Sequence, residues 1–343
     1  MPSPFTSRLL RLGQAWLEET PDAHAALTAL APDPLAGAVA LRWAAALHWL
    51  ALRGDEPWAS LWPPALNASD AALTDAIDQA WCHQQTLLGD ALSRPPQTNE
   101  VQRSLALLPG LMHVATQTGL PLRLFEIGAS AGLNLWCDRY RYQTTSWVWG
   151  DEGAALRLTG DWRGPAPWSG AAPALHIHSR AGCDADPIDL AQPGQGLRLT
   201  SFVWPDQQDR LKRVHAAQQA AAAWFVAEGP TLRAQAAADF VSEQLATATP
   251  GLTTVLMHSV VWQYIAPVEQ QAILAALNAA GTRATAAAPL AWLRYEPPRA
   301  DLRMELRCRV WRGDPAADGE DCLLATGHPH AAWVEWDASQ AAP

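Results

Sequence analysis

Residues Leu122–Leu135 read Leu-Arg-Leu-Phe-Glu-Ile-Gly-Ala-Ser-Ala-Gly-Leu-Asn-Leu, and no other run constrains the fold as much. A short apolar stretch ends in an acid, passes through small residues and resumes as an apolar pattern. That is the grammar of a buried strand, a tight turn and a helix N-terminus. Gly128 and Gly132 permit positive φ and close approach of a ligand to the backbone. The N–H groups opening the following helix would face whatever lies above the strand. Glu126, at the strand's carboxyl end, is placed to accept hydrogen bonds from a hydroxyl or ammonium group. The sequence therefore predicts a ligand-binding crevice at this turn.

The remainder of the chain fits around it. At 343 residues the protein can bury a substantial core, and a formal charge of −10 argues against nucleic acid or an anionic membrane as partner. A small cationic or zwitterionic ligand stays open. Cys82, Cys137, Cys183, Cys308 and Cys322 are scattered, odd in number and contain no C-x-x-C pair, so a reducing compartment is expected. With no signal-like N-terminus and no run of 18 apolar residues, a cytoplasmic location is expected.

Residues 1–120 read as a helical N-terminal domain. Leu9, Leu12, Trp16 and Leu17 recur at helical spacing, and Val39–Leu52 is apolar nearly all round. Prolines punctuate it at Pro32–Pro34, Pro57–Pro64 and Pro95–Pro96. Residues 121–343 read as β-α units, with insertions at about 141–173 and 207–250. The first insertion is Trp-, Gly- and Pro-rich and suggests a β-hairpin; the second is helical, with a break at Gly229-Pro230. The pattern predicts a helix over Leu133–Tyr140 and strands at Leu175–His178, Leu197–Trp204, Thr253–His258 and Leu290–Tyr295. Leu302, Met304, Leu306, Cys308 and Val310 alternate with charged residues, which marks an edge or antiparallel strand; Cys322–Ala325 or Trp333–Trp336 would pair with it. The expected fold is α/β, a helical domain followed by a sheet with an antiparallel C-terminal strand pair.

Glu126-Ile127-Gly128-Ala129-Ser130-Ala131-Gly132 resembles the first motif of class I S-adenosylmethionine-dependent methyltransferases, with Ser130 where the middle glycine usually stands. Gly182-Cys183-Asp184-Ala185-Asp186-Pro187 resembles their second motif. The resemblance implies a Rossmann-like methyltransferase-type sheet and S-adenosylmethionine as cofactor. Glu126, Gly128, Ala129, Ser130, Gly132 and Asn134 would surround it, Asp184 would take its ribose hydroxyls and Asp206 its adenine amino group. The spacing departs from the usual pattern: Gly132 to Asp184 spans 52 residues, against about twenty in dinucleotide-binding folds. Over nearly the whole chain, the phrases Thr98-Asn99-Glu100-Val101, Phe202-Val203-Trp204-Pro205-Asp206, His258-Ser259-Val260-Val261-Trp262 and Trp292-Leu293-Arg294-Tyr295-Glu296 are similar to a bacterial family of unknown function.

Other constellations carry their own chemistry. His258 ends a strand where open α/β sheets place catalysis, and is the candidate proton-handling group, with Glu296 a second candidate base. Trp262 and Tyr264 follow His258 and would wall a substrate pocket, with Asn99, Glu100 and Arg103 covering its entrance. Gly128-Ala129-Ser130-Ala131-Gly132 also spells G-x-S-x-G, the nucleophile elbow of serine hydrolases, and Asp206 or Glu296 with His328 would complete the order of such a triad. A nucleoside-binding regulator without catalysis is a third reading. His176 with His178, and His328 with His330, lack a third ligand, so no metal is assigned. The function expected is methyl transfer from S-adenosylmethionine to a small-molecule nucleophile.

Overall fold

A computed structural model describes residues 3–30, 38–63, 68–228, 232–298, 303–314, 319–337 and 339. The expected helix break at Gly229-Pro230, the prolines Pro32, Pro34 and Pro64, and Leu302 of the alternating run lie outside these residues. The chain divides into two units, Met1–Thr98 with Leu190–His215, and Asn99–Asp189 with Ala216–Pro343.

The first unit is helical: α1 (Pro4–Glu19), α2 (Pro21–Leu30), α3 (Val39–Leu52), α4 (Trp58–Leu61), α5 (Asp70–His83), α6 (Gln85–Ser93) and, after the chain returns, α8 (Gln195–Ser201) and the start of α9 (Gln208–Glu228). Its core is aromatic and aliphatic, with Trp16 and Trp43 stacked at 5.8 Å beside Leu47, Leu50, Trp58 and Ile77. Leu197–Trp204, expected as a strand, forms α8 over Gln195–Ser201 instead. Arg198, Leu199, Thr200 and Ser201 are all buried, and a surrounding of helices overrides an apolar run rich in β-forming residues.

Among the described residues every strand lies in the second unit: β1 (Leu122–Ile127), β2 (Arg141–Thr144), β3 (Val148–Trp149), β4 (Arg157–Arg163), β5 (Ile177–Asp184), β6 (Leu232–Ala234), β7 (Thr253–Ser259), β8 (Leu290–Glu296), β9 (Met304–Trp311), β10 (Asp321–Gly327) and β11 (Trp333–Trp336). They make one mixed, mostly parallel sheet in the order β3-β2-β4-β11-β10-β9-β8-β7-β1-β5-β6. From β8 through β6 every pairing is parallel; β9, β10 and β11 form an antiparallel run beyond β8. The antiparallel C-terminal element is thus three strands long, and both candidate partners, Cys322–Ala325 and Trp333–Trp336, belong to it. The Trp-rich stretch does contain a hairpin, β2 with β3, but β4 pairs parallel with both β2 and β11, so the stretch extends the main sheet. One face of the sheet carries α7 (Ser104–Thr118). On the other, α10 (Ala237–Gln244) and α11 (Pro267–Gly281) cover Phe125, Ile127, Leu256, Leu290 and Trp292.

Leu133–Tyr140 is not an α-helix. It forms 3₁₀ turns over Leu133–Arg139, interrupted at Trp136 (φ −103°, ψ 17°). Side chains supply the hydrogen bonds an α-helix would make internally: the Asn99 Oδ1 accepts the Leu133 N–H at 3.0 Å, Tyr140 OH donates to the Leu133 carbonyl at 2.5 Å, and Arg180 Nη1 donates to the Leu135 carbonyl at 2.7 Å.

Candidate functional site

After β1 the sheet grows to one side through β5 and β6, then returns to the other side of β1 with β7. The carboxyl ends of β1 and β7 therefore flank a topological switch point, where open α/β sheets form their ligand crevice. Two residues there hold backbone conformations that side chains disfavour, Ser130 at φ +53° and Val260 at φ +54°. A β-branched residue at such an angle costs about 1–3 kcal/mol and persists only where its surroundings enforce it.

The turn after β1 is fastened to the end of β5. Ala129 N–H donates to the Cys183 carbonyl at 3.0 Å, Ser130 N–H to Asp184 Oδ2 at 2.9 Å, and Ile188 N–H to the Ser130 carbonyl at 3.1 Å. Asp184 Oδ1 accepts the Asp186 N–H at 3.0 Å. Asp184 thus lies beside Ser130 despite the 52 residues between Gly132 and Asp184, and it clamps the turn. The N–H groups expected to point at a ligand are largely engaged within the protein, including Leu133 N–H by Asn99.

Glycine is required at position 128 by φ +64° and by its neighbour: a Cβ there would stand 2.3 Å from Cγ2 of Val261. At Gly132 (φ +70°) the nearest atom to such a Cβ is Cδ2 of Leu232, at 3.1 Å. The space beside both glycines is taken by aliphatic side chains, Val261 just beyond β7 and Leu232 at the start of β6. What remains polar at the turn is carried by side chains. Glu126 is 1 % exposed, and among the described residues neither its Oε2 nor the buried Ser130 Oγ has a hydrogen-bond partner. Burial pushes the Glu126 carboxyl well up, with the Asp184 charge adding to the rise, while the Asn134 amide and Arg103 pull the other way. Asn134 in turn accepts the Ser104 hydroxyl at 3.0 Å.

Asn99, Glu100 and Arg103 are buried. Asn99 caps the turn through Leu133, Glu100 Oε1 accepts the Gln102 N–H at 3.3 Å, and Arg103 Nε donates to the Pro329 carbonyl at 3.0 Å. Of these contacts, the Asn99 bond to Leu133 N–H reaches the β1 turn directly. Asp206 belongs to the first unit, where its two oxygens accept Ser3 Oγ–H at 2.6 Å and Phe5 N–H at 3.1 Å and so hold the start of α1.

His258 and Glu296 lie elsewhere on the sheet. Successive side chains alternate between faces. Phe125 and Ile127 pack with Leu256 and Trp292 under α11, so Glu126 projects from the α7 face. The His258 ring stacks on Trp262 at 5.3 Å and lies 5.9 Å from Trp292, on the α11 face. His258 is 0 % exposed and both ring nitrogens are engaged. The Trp292 indole N–H can only donate, and it reaches His258 Nε2 at 3.1 Å. The imidazole proton therefore sits on Nδ1 and is donated to Glu296 Oε1 at 2.7 Å. The same oxygen accepts the N–H groups of Val261 at 3.0 Å and Trp262 at 3.3 Å. His258 is thereby a positioning residue for Glu296.

Glu296 borders a cavity of about 340 Å³ lined by Trp262, Trp292, Arg294, Pro297, Glu305 and Arg307 among others. Trp262 lines this cavity; Tyr264 is 56 % exposed and is not among the lining residues. Arg294 went unassigned in the sequence, although Trp292, Arg294 and Glu296 alternate and must share a face of β8. That period of two was the available signal. Among the described residues no group of three or more His, Cys, Asp or Glu is arranged to hold a metal ion, and no helix is long and apolar enough to cross a membrane.

Over residues 1–336 the chain matches the family described as an uncharacterized protein conserved in bacteria (DUF2332), and it belongs to that family. No curated protein and no solved structure matches it.

Proposed function

We propose that the protein is a cytoplasmic S-adenosylmethionine-dependent transferase that moves a methyl group to a small-molecule nucleophile, with the cofactor held at the β1 turn. The observation that carries this reading is the pair Glu126 Oε2 and Ser130 Oγ, two buried polar atoms without a protein partner at the switch point. Buried polar groups are ordinarily satisfied, so such a pair calls for a ligand or a bound water. The order β6-β5-β1-β7-β8, with an antiparallel strand next to β8, supports a methyltransferase-type sheet; β10, β11, β4, β2 and β3 extend it beyond that type. Glu126 and Ser130 would hold the cofactor's polar groups, with Asp184 near the sugar. The cofactor would supply a carbon already activated by its sulfonium, and the protein would align the acceptor against it. Incubation with methyl-tritiated S-adenosylmethionine and a bacterial metabolite extract tests the reading: a labelled small product that the Glu126→Ala variant fails to form is expected.

Ser130 at φ +53° also suits a nucleophile elbow. Against a hydrolase, the Ser130 hydroxyl has no hydrogen-bond partner among the described residues, His328 included. A fluorophosphonate probe that left Ser130 unlabelled would agree with the transferase.

A further inference from the structure

The cavity on the α11 face is bordered by two side chains of opposite charge, each with one buried atom that has no hydrogen-bond partner among the described residues. Glu296 Oε1 is saturated by His258, Val261 and Trp262, while Oε2, equally buried, has no partner. Arg294 gives Nη2 to Asp321 and lies 4.1 Å over the Trp292 ring, yet its buried Nη1 also has no partner. The two side chains are 11 % and 15 % exposed and stand two residues apart on one face of β8. Between and around them are apolar walls from Trp262, Trp292, Pro297 and Pro298, with the two indoles 5.9 Å apart. The remaining charges, Glu305 and Arg307, bind each other at 2.6 Å.

We propose that this cavity binds a small zwitterion of the α-amino acid class with an apolar side chain. Its carboxylate pairs with Arg294 Nη1, its ammonium with Glu296 Oε2, and its side chain lies against Trp262 and Pro297. The volume of about 340 Å³ sits at the small end of ligand sites, which run from about 300 to 1,000 Å³. Each orphaned group alone would be a cost of burial; one ligand carrying both complementary charges relieves both at once. A purely anionic ligand would leave Glu296 Oε2 without a partner, and a purely cationic one would leave Arg294 Nη1 without one. His258 and the two main-chain N–H groups fix Glu296 Oε1 before binding, while Oε2 and Arg294 Nη1, both buried, are uncovered as the ligand enters. The site is separate from the β1 turn and stands whether or not a nucleoside binds there.

The test is calorimetric titration of the full chain with L-leucine and L-phenylalanine, and with 2-phenylethylamine and 3-phenylpropanoate as single-charge counterparts. Saturable binding of at least one amino acid is expected, with each counterpart at least ten-fold weaker. Arg294→Gln should weaken amino-acid binding at least ten-fold and leave the amine unaffected. Glu296→Gln, which keeps an oxygen to accept from His258, should weaken amino-acid and amine binding and leave the acid unaffected. Absence of saturable binding by either amino acid overturns the proposal, as does amino-acid binding that neither variant alters. Should either variant fail to fold, the comparison among the four ligands on the unaltered chain decides: equal affinity for the amino acid and a single-charge counterpart contradicts a two-point site.

Discussion

Asp184 Oδ2 receives the backbone N–H of Ser130 at 2.9 Å, and the residue so fastened sits at φ +53° with its hydroxyl buried and unpartnered. The fold thus tolerates, within three residues of the end of β1, both a strained backbone and an unsatisfied polar atom.

Replacing Ser130 by glycine should remove both burdens. Ser130→Gly is expected to raise stability by about 1 kcal/mol, since a glycine adopts positive φ without strain and leaves no hydroxyl to desolvate. Under the transferase reading the same change weakens cofactor binding. Urea denaturation and a binding assay on the one variant read both effects.

Val261 fills the space beside Gly128, so the two positions should be coupled. Gly128→Ala combines unfavourable φ with overlap at 2.3 Å and is expected to cost about 2–4 kcal/mol. Val261→Ala should recover the steric part but not the φ part. A double-mutant cycle by chemical denaturation is expected to show coupling above about 0.5 kcal/mol, whereas independent sites would add.

Glu126 is an acid whose carboxyl is pushed well up by burial. In the unfolded chain it ionises in the ordinary carboxylate range, while the native state keeps the proton. The native state therefore binds more protons above that range, and its stability falls as pH rises through the native value. Glu126→Gln removes this loss. The variant should equal or exceed the parent in stability at pH 8, and its advantage should shrink towards pH 4. Stability against pH for both proteins checks this.

His48, 2 % exposed, titrates in the opposite sense. Burial lowers it to about 4 from 6.5, with the Ser201 carbonyl opposing the shift. Its contribution is complete above pH 6.5 and declines as pH falls towards 4, by up to about 3 kcal/mol. His48→Gln should flatten that decline in the first unit, as read by thermal denaturation at pH 7.5 and 4.5.

The elements with long periodic patterns were legible in the sequence: α3, α11, the buried strands β1, β7 and β8, and the antiparallel β9 with its charged face. Gln195–Ser201 was not, because Leu197–Trp204 is an apolar run rich in β-forming residues and only the surrounding helices make it a helix. Leu133–Arg139 was not, because its carbonyls and N–H groups are taken by side chains remote in sequence, Asn99 and Arg180 among them. At the site, the motif resemblance led to Glu126, Ser130 and Asp184 by residue type, against a spacing longer than the usual one. Which sheet face each strand residue occupies depends on register, so the separation of Glu126 from His258 could not be read. The tautomer of His258 likewise depends on Trp292, thirty-four residues away.

Calorimetric titration of S-adenosylmethionine into the full chain, alongside Asp184→Ala and Ser130→Gly variants, tests the central claim most directly. Saturable binding in the parent, weakened at least ten-fold in each variant while both remain folded, is the expected result. No heat of binding in the parent, or equal affinity in all three proteins, would contradict a cofactor site at the β1 turn.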